Sequence, residues 1–497
     1  MQREEKPFPS TSSHMNRGGS LVLRLRDNGL LLALVGLYGM TVLLKLADEL
    51  VQDGWLALVA GREVAHQGIP VVDHLTFWTS GHNWVDQQWL GQLLFYGIES
   101  VGGVRLLLLV HAAFAIGALG LAVVAARRLG GSVRAVSWTA VACMTLILTS
   151  AAMRTQSFTY VLFLLVLWLL LRDRGAPSRA VWLTLPILVV WANLHGSVVL
   201  GAALVALRSV SLAFDRLRIR GGLNRSSGLR IGLLVVAPVL CLFASPYGFS
   251  LFGYYRLMLH NPGFHRLVTE WQPTTPSLEH APVYLVAFAT VWLIGRERSL
   301  LTGFEKLALI LTMAAAFLAI RNQVWFGLTV LTILPRPLGS VLGKGRAQPK
   351  PRLDATVALF GTAALLIGLA VALRSNLERS FPASGAEAVA TAAARDPSAR
   401  VFSSVHYTDW LLWKEPQLRG RVAYDARLEL LSQAQLEKAL NWRNELGVNW
   451  KEAAQGDRII VLDLAPELAT ESALLKERGV RETFRDKELA VLVRARR

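Results

Sequence analysis

The sequence contains few groups that could build a covalent or metal-bound framework. Of its 497 residues only two are cysteines, Cys143 and Cys241, and both lie within apolar runs. This excludes a disulfide framework and a thiolate metal site, and predicts that both side chains serve packing. Neither an HExxH nor a DxD motif is present. No cofactor is therefore predicted, although acids scattered over loops could still assemble a divalent-ion site after folding.

Acidic residues are scarce too, but only before the C-terminal part of the chain. The net charge is +17, and the sequence before Phe381 carries 34 Lys and Arg against 18 Asp and Glu, whereas the remainder carries 18 against 17. Of those 34 cations, 24 lie in six short segments: 1–26, 127–134, 172–179, 215–230, 295–306 and 336–352. Because these segments alternate with apolar runs, the pattern is the positive-inside distribution of membrane proteins. It predicts contact with anionic lipid headgroups and argues against a nucleic-acid partner.

Apolar runs of nearly membrane-spanning length dominate the sequence from Gly29 to Ser375. The chain is 53% apolar with a mean hydropathy of +0.40, and a spanning helix needs about 20 apolar residues. With the basic segments inside, the runs predict about 11 transmembrane helices, a cytoplasmic tail over residues 1–28 and a plasma-membrane location. The first run is too long for a cleaved signal peptide. The runs are Gly29–Leu46, Val104–Ala126, Ala135–Leu171, Ala180–Phe214, Ile231–Ala244, Val283–Ile294, Leu307–Pro335 and Ala355–Leu373.

The last part of the chain has a different character. Helix-like segments such as Gln433–Leu446 alternate there with short strand-like runs: Arg400–Ser403, Arg421–Tyr424, Ile459–Leu464 and Leu489–Arg494. This alternation predicts a small α/β domain over residues 382–497, which the charge pattern places outside the membrane. The fold class is therefore a mainly α, polytopic membrane protein, its transmembrane domain spanning 29–375, with an extracytoplasmic C-terminal α/β domain.

Three of the apolar runs are long enough to cross the membrane outward and back, and each has a polar apex between its two arms. The apices are residues 154–156, 193–196 and 321–323, and they contain Arg154, His195 and Arg321. In the run Leu307–Pro335 each arm is roughly 21 Å long, shorter than the about 30 Å hydrocarbon core. The apices are thus expected below the outer surface, where polar groups are tolerated only beside protein or water. We expect an outward-opening cavity that contains these three side chains.

The loop after the first apolar run, residues 47–103, is rich in acids, histidines and tryptophans and is called the first loop below. Residues 51–67 have the spacing of an amphipathic interfacial helix, and Trp89–Ile98 has the same character. Turns at 68–70 and 79–81 are expected to bring the polar residues of the loop into one neighbourhood. These residues are Asp53, Asp73, His74, Asp86 and Gln87.

Several short motifs of the chain resemble those of the GT-C superfamily of polytopic membrane glycosyltransferases of bacteria. In the first loop they are Asp53-x-Trp55, Gly61-Arg62, Gly68-Ile69-Pro70-x-x-Asp73-x-x-Thr76-Phe77, Trp84 and Trp89-Leu90. Further along they are Arg154-x-Gln156-x-Phe158, Trp191-Ala192-Asn193-x-His195-Gly196, Glu270-Trp271 and Tyr424-Asp425-x-Arg427. Each is weak alone, but their order covers most of the chain.

The resemblance implies sugar transfer, of the inverting type, from a polyprenyl-phosphate-linked donor to a glycan, lipid or protein acceptor at the extracytoplasmic face. An acid of the first loop would be the catalytic base, while cations stabilise the departing phosphate. Asp53 is the preferred base, but Asp48 and Glu49 follow the first helix directly and remain alternatives. The donor phosphate is assigned to Arg154, His195, Arg321 and, more weakly, Arg256.

Other first-loop residues are candidates for the acceptor or the sugar. They are Asp73, His74, Asp86, Gln87 and Trp84, together with Asn193 at the second apex. Each assignment has a structural alternative: Asp73 and Asp86 could cap turns, Arg154 and Arg321 could form ion pairs, and His195 could be a core histidine. A lipid-linked sugar flippase, another transporter, or a membrane scaffold whose outer domain binds a partner would also fit a polytopic chain. A transporter would more often show paired halves or helices broken at the midplane.

Overall fold

The computed structural model describes residues 28–48, 52–173, 178–220, 224–260, 268–343, 351–376 and 380–496. Glu49 and nearly all of the N-terminal tail lie outside these residues, as does the side chain of Asp48. The described chain is mainly helical and has a small sheet near its C-terminus, as the sequence predicts.

Helices occupy every apolar run that the sequence singles out. Those that precede the C-terminal domain are α1 (Gly29–Asp48), α2 (Gln52–Gln67), α3 (Trp89–Arg128), α4 (Val133–Leu148), α5 (Ser157–Arg172), α6 (Thr184–Leu194), α7 (Val198–Arg220), α8 (Arg225–Leu242), α9 (Ser250–His260), α10 (Ala281–Arg296), α11 (Gly303–Leu318), α12 (Gln323–Ile333), α13 (Pro335–Val341) and α14 (Pro351–Arg374). In α3, a break at Gly102 and Gly103 separates the loop-side helix from the apolar one.

Not all of these helices are long enough to cross a membrane. Among the described residues, six helices meet that test by length and composition, or up to seven if the bent pair Ile320–Ile333 and Pro335–Val341 counts as one span. The helices Ser157–Arg172, Arg179–Leu194 and Ala281–Arg296 are apolar but shorter. The chain is therefore a multi-pass membrane protein, whereas the count of 11 crossings and the orientation stay predictions.

Two of the predicted apices coincide with breaks in the backbone. After α6, His195 is extended (φ −167°, ψ 144°), and after α11, Ala319 is extended (φ −155°, ψ 134°) before a 3₁₀ turn at Ile320–Asn322. The extended residues end each helix, and the chain reverses into the next one. Polar side chains of the apices are therefore carried by short turns between two apolar helices.

The first and last long helices, α1 and α14, pack closely together. A Cβ atom added at Gly36 would overlap the carbonyl oxygen of Gly361, and one added at Gly361 would overlap the backbone of Ala33. Small residues let helix backbones approach each other in this way, which favours packing in a lipid environment where apolar side chains gain little from association. The C-terminal domain is thus tethered beside the start of the first loop.

The C-terminal domain contains a four-stranded sheet of order β1-β2-β4-β3. Its strands are β1 (Val401–Ser403), β2 (Ile459–Asp463), β3 (Val480–Arg485) and β4 (Leu489–Arg494), and its helices are α15 (Ala383–Arg395), α16 (Val405–Lys414), α17 (Gln433–Asn444) and α18 (Leu464–Leu475). Strands β1 and β2 are parallel, whereas the β2–β4 and β4–β3 pairs are antiparallel.

Two details of this sheet differ from the sequence prediction. Residues 421–424 form only isolated bridges, in which Val422 pairs with Val401 and with Thr76 of the first loop. The sequence does not predict β3, because this edge strand is largely exposed and three of its six residues are charged, which removes the apolar alternation of a strand. The other predicted strands and the helix that begins at Gln433 are confirmed.

The first loop docks on the C-terminal domain through backbone hydrogen bonds. The amides of Phe77 and Trp78 donate to the carbonyls of Val422 and Ala423, at 2.9 and 3.0 Å, and the amide of Gly420 donates to Leu75 at 2.8 Å. The Trp78 ring also stacks on Tyr424, with ring centroids 5.0 Å apart. The loop and the domain therefore form one continuous structure.

Candidate active site

A cavity of about 910 Å³ lies between the helix apices, helix α2 and the C-terminal domain. Five residues predicted from the sequence line it: Asp53, Gln87, Arg154, His195 and Arg321. They come from the first loop and from all three apices, which are far apart in the sequence. The fold therefore brings these five side chains to one cavity. The opposite wall is supplied by residues of the C-terminal domain, including His406, Glu429 and Asp463.

Arg154 is held by two carboxylates. Its Nε lies 2.8 Å from Oδ2 of Asp53, and both terminal nitrogens donate to the carboxylate of Glu270. Burial raises the pKa of Glu270, but the hydrogen bonds and charge of Arg154 outweigh this effect and leave that pKa below its ordinary value. The structural alternative for Arg154, an ion pair with loop acids, is thus present. Its positive charge is largely compensated before any ligand binds.

Asp53 is partly accessible from the cavity. It lies in the first turn of α2, and 49% of its side chain is exposed. The ion pair with Arg154 restrains the carboxylate while leaving part of it open to solvent. Such a group can contact a ligand in the cavity without a conformational change that exposes it.

Arg321 has a different environment from Arg154. It lies on the 3₁₀ turn Ile320–Asn322, and its guanidinium carbon stacks 4.5 Å from the ring centroid of Trp271. Within the described part of the chain it has no carboxylate partner at ion-pair distance. The turn is fixed because the Ile320 amide donates to Gln272 at 3.1 Å. Asp53 and Glu270 act on Arg321 only from a distance. Arg321 therefore offers a guanidinium without a bonded carboxylate, a group that matches phosphate oxygens geometrically.

His195 and Gln87 line the cavity beside these cations. The Ser197 amide donates to Nδ1 of His195 at 3.1 Å, which leaves the ring proton of a neutral imidazole on Nε2. Gln87 donates from Nε2 to the carbonyl of Ala192 at 2.8 Å. Both side chains are thus anchored through one polar atom, and the first loop is joined to the second apex.

Asn193 is not among the cavity-lining residues. Its amide nitrogen donates to the carbonyls of Val189 and Ala244, and its oxygen accepts from Nε1 of Trp89 at 2.9 Å. These bonds join the second apex to the first loop and to the end of α8. Asn193 therefore holds neighbouring elements in position.

Asp73 and Trp84 lie in a buried ion-pair network behind the cavity. Asp73 is fully buried and accepts from Arg427 at 2.8 Å, and Arg427 also pairs with Asp425. The guanidinium of Arg427 lies 4.2 Å from the ring centroid of Trp84. Burial raises the pKa of Asp73, but the charge and hydrogen bond of Arg427 act in the opposite direction. The pKa of Asp73 therefore lies below its ordinary value. The network joins the first loop to the C-terminal domain.

The remaining candidates also lie away from the cavity wall. Asp86 is buried, and burial raises its pKa to about 7 despite the opposing charge of Arg427. His74 is exposed on the first loop, and Arg256 is exposed on α9. Neither is among the lining residues.

Several lining residues are not predicted as site residues by the sequence. Glu270 is part of a motif, but its hydrogen bonds to Arg154 cannot be read from spacing. Tyr254 and Glu429 belong to segments without a motif of their own. Among the described residues, no group of three or more His, Cys, Asp or Glu side chains could hold a metal ion.

Comparison with solved structures finds similar membrane proteins. ArnT from Cupriavidus metallidurans in the apo state matches with a TM-score of 0.50 and 15% identity, over 96% of this chain and 98% of ArnT. The same protein bound to undecaprenyl phosphate matches with a TM-score of 0.49 and 16% identity, over 95% and 98% of the two chains.

A third solved structure has a lower score. The archaeal oligosaccharyltransferase AglB from Archaeoglobus fulgidus, in complex with an inhibitory peptide and a dolichol-phosphate, has a TM-score of 0.45 and 12% identity, over 87% of this chain and 69% of AglB. No protein-family model matches the chain, and no curated protein matches its sequence. The match to apo ArnT along nearly the whole of both chains shows that this membrane protein has the GT-C fold.

Proposed function

We propose that this protein is a membrane glycosyltransferase that moves a sugar from a polyprenyl-phosphate-linked donor to an acceptor hydroxyl at the extracytoplasmic face. The observation that carries the proposal is the cavity in which the accessible carboxylate of Asp53 occurs together with the guanidinium of Arg321, which has no carboxylate at ion-pair distance among the described residues. Apolar side chains of the helices, such as Leu200 and Leu311, line the same cavity. A lipid chain with a phosphate end fits this combination of surfaces.

The proposed reaction needs a base and a stabilised leaving group. Asp53 takes the proton of the acceptor hydroxyl, the acceptor oxygen bonds to the anomeric carbon, and the bond from that carbon to the phosphate oxygen breaks. The lipid phosphate leaves with the bonding electron pair, and Arg321 stabilises its charge. The proton of Nε2 on His195 is available for a hydrogen bond to the same phosphate. Because attack is direct, the anomeric configuration inverts.

Asp53 stays the preferred base because it lines the cavity and approaches a guanidinium, whereas Glu49 and the side chain of Asp48 lie outside the described residues. Arg154 then acts chiefly through Asp53: it orients the carboxylate, and Glu270 holds Arg154 in place. The sequence assigns the phosphate to Arg154 and Arg321 alike. Because the charge of Arg154 is already compensated, Arg321 has the larger share.

The assignment of Arg321 predicts a loss of lipid-phosphate affinity. The Arg321→Ala variant should bind undecaprenyl phosphate about 10- to 100-fold more weakly than the native protein, because a charged hydrogen bond contributes roughly 1.5–3 kcal/mol. Binding of the purified full-length chain to the lipid in nanodiscs measures this effect. Arg256→Ala is a matched control, since Arg256 is exposed and does not line the cavity. Unchanged affinity in Arg321→Ala, or a loss only in Arg256→Ala, would overturn the assignment.

A further inference from the structure

The C-terminal domain contributes a carboxyl group to the cavity. Glu429 lies on the 3₁₀ turn Leu428–Leu430 and is among the residues that line the cavity with Asp53 and Arg321. It is a member of no motif and pairs with no cation at ion-pair distance in the described part of the chain. A carboxyl group in a ligand cavity without a bonded cation is costly, which favours a role toward the ligand.

The position of Glu429 is fixed by the residue two places before it. Arg427 is buried, pairs with Asp73 and Asp425, and packs over Trp84. The amide of Leu430 donates to the carbonyl of Arg427 at 3.0 Å and closes the turn that carries Glu429. The ion-pair network behind the cavity therefore anchors a residue that reaches into it.

Several charged or titratable groups act on Glu429. Burial raises its pKa to about 7, Arg427 lowers it, and Asp425 and Asp53 raise it. Tyr254 of α9 lines the cavity with Glu429 and Arg321, and the charges of Glu429, Asp86 and Arg321 all act on its hydroxyl. The same cavity is also lined by His195, His406, Arg443, Asp463 and Glu467, and burial raises the pKa of Glu467 to about 7 as well.

The charges around the cavity decide what kind of phosphate fits best. Arg154 and Arg321 share the end of the cavity near the apices with two carboxylates, Asp53 and Glu270, so these four charges sum to zero. A phosphodiester carries one negative charge, whereas a phosphomonoester carries about −1.5 to −2 at neutral pH. No surplus cation is left to balance the second negative charge, and a nearby carboxylate penalises the latter more than the former.

We propose that Glu429 is a ligand-contacting residue of the cavity, which faces the phosphate opposite Arg321 and disfavours the doubly charged phosphomonoester relative to the singly charged phosphodiester. This inference rests on the proposed function, in which the diester is the donor and the monoester is the lipid product. Glu429 then assists release of the product. The C-terminal domain is thereby a part of the site.

The test compares the affinity for undecaprenyl phosphate near pH 6 and near pH 8 in the full-length protein. Glu429→Gln should bind like the native protein near pH 6, where Glu429 is mostly protonated, and about 5- to 10-fold more tightly near pH 8. Titration of the lipid phosphate, of the two histidines and of Glu467 is common to all variants and cancels in the comparison. Glu429→Ala is a second neutral variant if the glutamine variant folds poorly.

Two controls separate Glu429 from other carboxyl groups. Glu437→Gln removes an exposed carboxylate of the same domain, and Asp86→Asn removes a buried carboxyl whose pKa is also raised to about 7. Both should match the native protein at both pH values. The inference is overturned if Glu429→Gln also binds undecaprenyl phosphate like the native protein at both pH values. It is equally overturned if Asp86→Asn binds the lipid more tightly near pH 8. If the native protein and both controls bind no undecaprenyl phosphate at either pH, the proposed function fails and the inference fails with it.

Discussion

Replacing Asp53 by asparagine is expected to lower the rate of sugar transfer by about 10²- to 10⁴-fold. Asparagine keeps the size of the side chain but cannot accept the acceptor proton, and general-base catalysis typically contributes that factor. Affinity for undecaprenyl phosphate should change little, because Arg321 remains in place. The measurement is turnover of the purified chain with a polyprenyl-phosphate sugar, alongside lipid binding of the same sample.

Glu63→Gln provides a matched control for this variant. Glu63 lies on the same helix, α2, and pairs with Arg419 at 2.6 Å, but it does not line the cavity. The Glu63→Gln variant thus removes the same charge as Asp53→Asn and also breaks an ion pair with an arginine. Transfer should persist in Glu63→Gln. Full activity of Asp53→Asn would refute the assignment of the base and direct attention to Asp48.

Removing Arg427 is expected to destabilise the protein by about 3–5 kcal/mol, because breaking a buried ion pair costs about that much. The Arg427→Ala variant leaves the carboxylates of Asp73 and Asp425 buried without their cation. The structure links the first loop to the C-terminal domain through this residue. Thermal unfolding of the full-length chain in detergent, followed by intrinsic tryptophan fluorescence, measures the effect as a fall in Tm.

A surface lysine of the same domain serves as the comparison. Lys451 and Glu477 are 37% and 32% exposed and pair at 3.0 Å, and solvent-accessible pairs contribute about 0–1 kcal/mol. Lys451→Ala should therefore shift the Tm only slightly. Equal, small shifts for the two variants would contradict the role of Arg427 as the link between the loop and the domain.

The helical part of the fold follows closely from the sequence. Long apolar runs specify helices because hydrocarbon surroundings leave a backbone no other way to satisfy its hydrogen bonds. The 3₁₀ turn at Arg321 and the extended residue His195 mark the predicted reversals. Strand β3 is not predicted because it is an exposed edge strand. The sequence predicts a strand at Val422, but this residue forms only isolated bridges, one of them to Thr76 of the first loop.

The candidate site can be predicted only in part. The sequence predicts Arg154, His195 and Arg321 as site residues because the apices of neighbouring helical hairpins meet at one end of a bundle. The sequence does not indicate which face of the first loop docks on the C-terminal domain, so it leaves both a ligand role and a structural role open for Asp73 and Trp84. Their burial against Arg427 depends on contacts between distant parts of the chain. Glu429 escapes prediction for the same reason.

A structure of the full-length protein with undecaprenyl phosphate tests the central claim most directly. We expect phosphate density within hydrogen-bond distance of Arg321, with the carboxylate of Asp53 across the cavity and Glu429 on the far wall. The polyprenyl chain should lie along the helices near Leu200 and Leu311. Density for the phosphate at another place, such as beside Arg256 and away from Asp53, would contradict the proposed division of roles.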